Sequence, residues 1–270
     1  MKKFENILLI TDIDGTIADR TYTISKENIE SVKYFVENGG TFTYATGRQV
    51  PIAKSIIDQL LPNAPVICYN GAAIYDYIAG KYLWYSPLDS SSKEAIFDVL
   101  KNCPEANVEI NTPTSLCVIK NSDAALARYE KFAAFFKQIE SIDEAPLPWL
   151  KIVFVMQDSY MSILRNHIEN QPYFKNFQFS QSASFLYELL SYNVNKGTAL
   201  EKLRELLGSK YKVIAIGDNE NDIEFLKAAD KGFAVANASS LLLEHSPSMT
   251  VHQKDHALAD VIDKLDKKIL

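Results

Sequence analysis

Two apolar runs near opposite ends of the chain each finish in a pair of aspartates, and this recurrence constrains the fold more than any other feature. Ile7-Leu8-Leu9-Ile10 leads through Thr11 into Asp12-Ile13-Asp14, and Val213-Ile214-Ala215-Ile216 leads into Gly217-Asp218-Asn219-Glu220-Asn221-Asp222. Short runs rich in apolar residues, bounded by turn residues, read as buried strands. Strands buried on both faces belong to a parallel sheet, whose ligand crevice lies beyond the strand C-termini. Both aspartate pairs are therefore expected in one crevice.

The segments after the first run alternate in the same style. Ser25 to Glu37 reads as a helix with Ser25 at the N-cap and Ile29, Val32 and Val36 on one face, stopped by Gly39-Gly40. Thr41 to Ala45 reads as a strand, Ile52 to Leu61 as a helix bounded by Pro62, and Pro65 to Tyr69 as a third strand. The pattern changes at Ser86-Pro87-Leu88-Asp89-Ser90-Ser91-Ser92. Beyond it, Val108 to Asn111 and Phe177 to Ser180 alternate apolar with polar residues, as antiparallel strands with one exposed face do. Helices are expected over Lys93 to Cys103, Ala124 to Lys137 and Ser159 to Asn170. From Asn193 the first pattern resumes, with helices over Gly197 to Leu207 and Glu220 to Ala229 and a short strand from Phe233 to Ala236. The expected architecture is α/β. A Rossmann-like parallel-sheet core is built from residues 1–85 and 191–270, and an α+β domain at 86–190 is inserted into it.

Composition narrows the function classes. The 270 residues carry a net charge of −6, which offers no footprint for nucleic acid or an anionic membrane surface. No apolar run approaches the ~18 residues of a membrane span. The N-terminus has no long apolar stretch of the signal-peptide kind. Cys68, Cys103 and Cys117 are odd in number, far apart and without a CxxC pair, so reduced thiols in a cytoplasmic protein are expected.

The four carboxylates pose an electrostatic problem. Two like charges about 4 Å apart cost ~4 kcal/mol at an effective dielectric of 20. Protons or a cation must neutralise the cluster, and Mg²⁺ suits one or two carboxylates together with phosphate and water. The competing reading is that these aspartates serve turns and caps, and two pairs at matching strand ends weigh against it. Gly15-Thr16 allows a sharp backbone turn. Thr46-Gly47-Arg48, after the second strand, offers a hydroxyl and backbone amides to phosphate oxygens, or caps the following helix. Lys196 opens a helix, against the macrodipole preference, which an anion would offset. His252 and His256 share the i, i+4 spacing of a metal pair but have no third ligand nearby in sequence.

In this order, the residues closely resemble the four motifs of the haloacid dehalogenase-like phosphohydrolase superfamily. The motifs are Asp12-Ile13-Asp14-Gly15-Thr16, then Thr46 in Thr46-Gly47-Arg48, Lys196, and Gly217 to Asp222. The block Tyr69-Asn70-Gly71-Ala72-Ala73-Ile74 and the position of the insertion look like the Cof-type branch with its larger α/β cap. Asp255-His256-Ala257 departs from the Asp-Gly-Val-like turn often found near the C-terminus of such proteins. The resemblance implies that Asp12 is a nucleophile forming an aspartyl-phosphate, and that Asp14 protonates the leaving oxygen and then activates water. It implies Mg²⁺ held by Asp12, the backbone carbonyl of Asp14 and Asp218, with Asp222 ligating or pairing with Lys196. Thr46 with Gly47, Lys196 and Asn221 would hold phosphoryl oxygens, and Asn70 and Arg48 are weaker candidates for contacting substrate.

The implied activity is a Mg²⁺-dependent phosphatase for small phosphorylated metabolites, sugar phosphates among them. A phosphomutase of the same superfamily is the enzymatic alternative. A phospho-aspartate signalling module is the non-enzymatic one, and Asp14 argues against it because an acid placed to activate water shortens the life of an acyl-phosphate. Trp149, Phe185 and Tyr187 either line the crevice or pack.

Overall fold

The computed structural model describes residues 2–18, 21–119, 136–208, 210–246 and 248–268. In chain order its elements begin β1 (Ile7–Thr11), α1 (Lys26–Glu37), β2 (Thr41–Tyr44), α2 (Val50–Ile57), β3 (Val66–Cys68), β4 (Ala73–Asp76) and β5 (Lys81–Tyr85). Next come α3 (Ser92–Asn102), β6 (Asn107–Asn111), β7 (Leu116–Ile119), β8 (Phe136–Gln138), β9 (Lys151–Val155), α4 (Asp158–Glu169), β10 (Phe177–Ala183) and β11 (Leu186–Ser191). The chain closes with α5 (Lys196–Leu207), β12 (Lys212–Gly217), α6 (Ile223–Ala228), β13 (Lys231–Ala234), α7 (Ser240–His245) and α8 (Ala257–Asp266). Two compact units result, one of Met1–Trp84 with Asn195–Leu270 and one of Tyr85–Val194.

The first unit is α/β, built on a parallel four-stranded sheet in the order β13-β12-β1-β2. Strand β1 pairs with β12 from Ile7 opposite Lys212 to Thr11 opposite Ile216, so the two strands end level. Leu8, Leu9 and Ile10 are fully buried, as are Val213 to Ile216, which fits strands covered on both faces. The third strand departs from expectation. β3 touches the parallel sheet through one bridge, Ala45 to Ile67, and otherwise pairs antiparallel with β4 in a separate sheet with β5. Helix α1 has Ser25 at its N-cap, accepting from the Asn28 amide, but it buries Asn28, Val32 and Phe35 rather than the expected stripe. Ile29 and Val36 are half-buried. The inward face is rotated because Asn28 also faces inward, where its Oδ1 accepts from the Ala259 amide at 3.1 Å.

The second unit is a six-stranded sheet in the order β10-β11-β9-β6-β7-β8, antiparallel except for β7 with β8. Its core gathers Ile96, Val108, Ile110, Ile152, Phe154 and Leu164, and Trp149 and Tyr187 belong to it. Phe185 packs against Val153, Val155 and Leu186. The expectation of one exposed face fails for β6, where Glu109 and Asn111 are as buried as Val108 and Ile110. Internal pairing replaces water on that face of the sheet: Lys151 Nζ sits 3.1 Å from Glu188 Oε2, and Ser182 donates to Glu188 Oε1. The helix expected over 124–137 falls mostly outside the described residues, and its last two positions, Phe136 and Lys137, lie in β8.

Candidate functional site

The level ends of β1 and β12 bring the two acidic motifs side by side. The Asp12 amide donates to Ile216 carbonyl at 2.9 Å, extending the ladder one residue past the strands. Gly15 then turns back with φ +81, and a Cβ there would lie 2.3 Å from Asp218 Oδ2. Only glycine both adopts this backbone and admits the carboxylate. Gly217 plays a similar part for Asp222, against which its Cβ would fall at 2.6 Å.

Lys196 lies at the centre of the acidic groups. Asn195 caps α5, accepting from the amides of Gly197 and Thr198, while Thr198 Oγ1 accepts from the Asn195 amide. The cap aims Lys196 inward, where its Nζ stands 2.6 Å from Asp12 Oδ1 and 2.7 Å from Asp222 Oδ1. Asp222 Oδ2 accepts from the amides of Asp218 and Asn219, and Asp218 Oδ1 accepts from Thr16 Oγ1 at 3.0 Å. Oxygens of Asp12, Asp218 and Asp222 lie within 4.8 Å of one another.

Three carboxylates against one ammonium leave an excess of negative charge in a mostly buried place, and the protonation equilibria register it. Burial pushes Asp12 up to about 7, with Lys196 opposing the rise and Asp222 adding to it. Burial pushes Asp218 higher, to about 9, reinforced by the charges of Asp12 and Asp222. Burial alone would lower Lys196, but Asp12 and Asp222 outweigh it and hold the ammonium charged. The donor set is all oxygen, rigid and anionic, which fits a hard divalent cation.

The remaining sequence candidates fall into two groups, a wall joined to this cluster and the pair Asp14 and Arg48. Thr46 follows β2; its amide donates to Ile67 carbonyl, and its hydroxyl accepts from the Arg48 amide. A Cβ on Gly47 would press on Asn70 Oδ1 at 2.9 Å. Asn70 is buried in a left-handed conformation, with φ 54 and ψ 31, and its Oδ1 accepts from Asn221 Nδ2 at 2.9 Å. Gly71 packs its backbone on Asn195, where a Cβ would come within 2.2 Å of the carbonyl oxygen. Thr46, Gly47, Asn70, Lys196 and Asn221 thus form one connected wall. Asp14 stands apart from the three clustered carboxylates. Arg48 takes both of its oxygens, Nε to Oδ2 at 2.6 Å and a terminal guanidinium nitrogen to Oδ1 at 2.5 Å.

Sequence reasoning missed Asn237. Its Nδ2 donates to Gly15 carbonyl at 2.8 Å and its Oδ1 accepts from the Gln253 amide at 2.7 Å, so it ties the turn after β1 to the C-terminal segment. An asparagine in the turn after β13 is the only signal it carries. The two histidines weighed as a metal pair make separate local contacts. His252 caps a 3₁₀ turn, and His256 holds φ +68 with its Nδ1 2.9 Å from Ser25 Oγ. That left-handed position is one glycine favours, matching the place where the sequence departs from its motif.

A family model described as haloacid dehalogenase-like hydrolase matches residues 9–262. The chain belongs to this family. It is therefore an enzyme of the haloacid dehalogenase-like hydrolases, and curated relatives it resembles bear phosphatase names. The 5-amino-6-(5-phospho-D-ribitylamino)uracil phosphatase of Bacillus subtilis is 26% identical, over 94% of this chain and 96% of its own length. The HMP-PP phosphatase of Yersinia enterocolitica is 28% identical, over 89% of this chain and 87% of its own. Among solved structures, a haloacid dehalogenase-like hydrolase from Bacillus subtilis superposes with a TM-score of 0.79 at 23% identity, covering 97% of this chain and 99% of that one. Among the described residues, no helix is long and apolar enough to cross a membrane.

Proposed function

We propose that this haloacid dehalogenase-like hydrolase is a Mg²⁺-dependent phosphatase of small phosphorylated metabolites, sugar phosphates included, working through an aspartyl-phosphate on Asp12. The observation that carries the reading is the contact of Lys196 with both Asp12 and Asp222, beside Asp218, in a pocket of net negative charge. Asp12 is the nucleophile: it sits at the end of a rigid central strand, oriented by Lys196. Asp12, Asp218 and the backbone carbonyl of Asp14 would hold Mg²⁺, with Asp222 ligating or orienting the amides of the Asp218 loop. When bound, the cation would neutralise the excess charge and polarise the phosphoryl group.

This chain's own residues do the rest. Lys196, Asn221, Thr46 and the Gly47 amide bind the phosphoryl oxygens, since such transfer rests mainly on positioning and charge neutralisation. Asn70 holds Asn221 in place. Asp14 gives a proton to the leaving oxygen and later takes one from the attacking water. The inserted unit, 86–190 in the sequence reading, serves as a cap that sets specificity. The names of the relatives support the phosphatase reading over a phosphomutase, and the three free cysteines are in keeping with a cytoplasmic setting. Purified protein should release inorganic phosphate from p-nitrophenyl phosphate with Mg²⁺, and lose that activity in EDTA and as Asp12→Asn. An active Asp12→Asn variant would refute the nucleophile assignment.

A further inference from the structure

Arg48 is the residue of the Thr46-Gly47-Arg48 motif whose partner the structure makes most explicit. Its guanidinium meets Asp14 as a two-pronged fork, and its central carbon Cζ lies 4.5 Å from the centre of the Tyr22 ring. Its backbone is held as well: the Arg48 amide donates to Thr46 Oγ1, and its carbonyl accepts from the Tyr69 amide at 3.1 Å. The arginine side chain is 12% exposed and the aspartate 47%, so the better-anchored partner is the cation. Both oxygens of Asp14 accept in this fork, a paired geometry that fixes the plane of the carboxylate as well as its position.

We infer that Arg48 is a positioning residue that holds Asp14 for the second half of the reaction, the hydrolysis of the phosphorylated enzyme, rather than a contact for the substrate. In that half-reaction a water oxygen bonds to phosphorus and the bond from phosphorus to the Asp12 oxygen breaks. The water's proton passes to Asp14, and inorganic phosphate leaves. The inference rests on the phosphatase reading above. Without the fork, a half-exposed carboxylate samples several rotamers, and loss of orientation of this kind costs rate at the step that uses it.

The two half-reactions are separable with p-nitrophenyl phosphate, whose leaving group departs with little help from an acid. Rapid-mixing kinetics with Mg²⁺ should show, for Arg48→Ala, a burst of nitrophenolate approaching one equivalent of enzyme. The steady rate that follows should be lower by about tenfold to a hundredfold. KM should fall with kcat, leaving kcat/KM within about twofold of the parent, because kcat/KM reports only the steps through loss of the leaving group. Arg48→Lys keeps the charge but not the fork and should also show the burst. Tyr22→Leu removes the ring and hydroxyl that support the guanidinium and should show a smaller burst; these two carry the test should Arg48→Ala fail to fold. A raised KM with lowered kcat/KM and no burst would make Arg48 a substrate contact and overturn the inference, as would unchanged kinetics in all three variants. Failure of the parent enzyme to hydrolyse the ester, or activity in Asp12→Asn, would instead strike the phosphatase reading itself.

Discussion

Lys196 Nζ lies 2.7 Å from Asp222 Oδ1, and neither side chain reaches solvent. A lysine at a helix start works against the macrodipole, and here the two carboxylates it touches supply the offset. Replacing it with methionine would strand Asp12 and Asp222 as uncompensated buried charges. Breaking a buried pair from one side costs about 3–5 kcal/mol. Lys196→Met should therefore lower the urea midpoint steeply and abolish phosphate release. The double variant Lys196→Met, Asp222→Asn should regain part of the stability and none of the activity.

A cation held by the acidic cluster would compete with protons for it. With no cation bound, burial pushes Asp12 up to about 7 and Asp218 up to about 9, from an ordinary aspartate value of 3.8. The folded state then binds more protons than the unfolded chain between pH 3.8 and these values, so stability falls as pH rises through that window. In EDTA, the thermal midpoint should carry this downward contribution from about pH 4 to pH 9. Mg²⁺ should reverse it most strongly at the alkaline end, with protons released on binding. Calorimetric titrations in buffers of different ionisation enthalpy measure that release, and binding without proton exchange at pH 7 would contradict the assignment.

Two glycines with positive φ should respond differently to alanine. Gly15, at φ +81, would drive a Cβ to 2.3 Å from Asp218 Oδ2, so Gly15→Ala should displace a cluster carboxylate and abolish activity. Gly80, at φ +67, has nothing within 4 Å, so Gly80→Ala should cost only the left-handed strain of ~1–2 kcal/mol and keep full turnover. Thermal melts and initial rates on the two variants test the contrast.

In the inserted unit, Asp98 Oδ2 accepts from Tyr173 at 2.6 Å and lies 2.7 Å from His167 Nε2, and Asn102 donates to Oδ1. Burial pushes this carboxyl up, but the three hydrogen bonds outweigh it and hold it below the usual range. A depressed carboxyl stabilises above its unfolded value and loses that contribution as pH falls through the folded one, here below about pH 4. Asp98→Ala should destabilise by ~2 kcal/mol at neutral pH, given the usual worth of hydrogen bonds to charged groups. Urea denaturation followed by circular dichroism measures it, and the difference between parent and variant should narrow in acid.

Much of this architecture is written locally. The apolar runs ending in Asp12 and Asp218 specify a parallel pair of strands, and Ser25 announces the start of α1. What escaped the sequence depends on distant partners. Glu109 alternates with valine and isoleucine as an exposed residue would, yet it is buried, on a strand face whose polar groups find internal partners. Phe35 displaced Val36 from the inner face of α1 because Asn28 also faces inward, to meet Ala259. Arg48 reads as a phosphate or substrate group from its motif, and only the fold shows both its prongs on Asp14. Asn237 lies 222 positions from the glycine it holds, a distance over which no local pattern speaks.

The pairing of β1 with β12 also sets an order of events at the ribosome. Ile7 emerges ahead of the inserted unit, while its neighbour across the ladder, Lys212, emerges only after the whole of that unit has left the tunnel. That unit draws its sheet from its own contiguous chain and can complete itself early, whereas the strand bearing Asp12 must wait with one flank unpaired. The acidic triad is therefore among the last parts of the molecule to form, and a nascent chain stalled before Asp218 holds Asp12 without its partners.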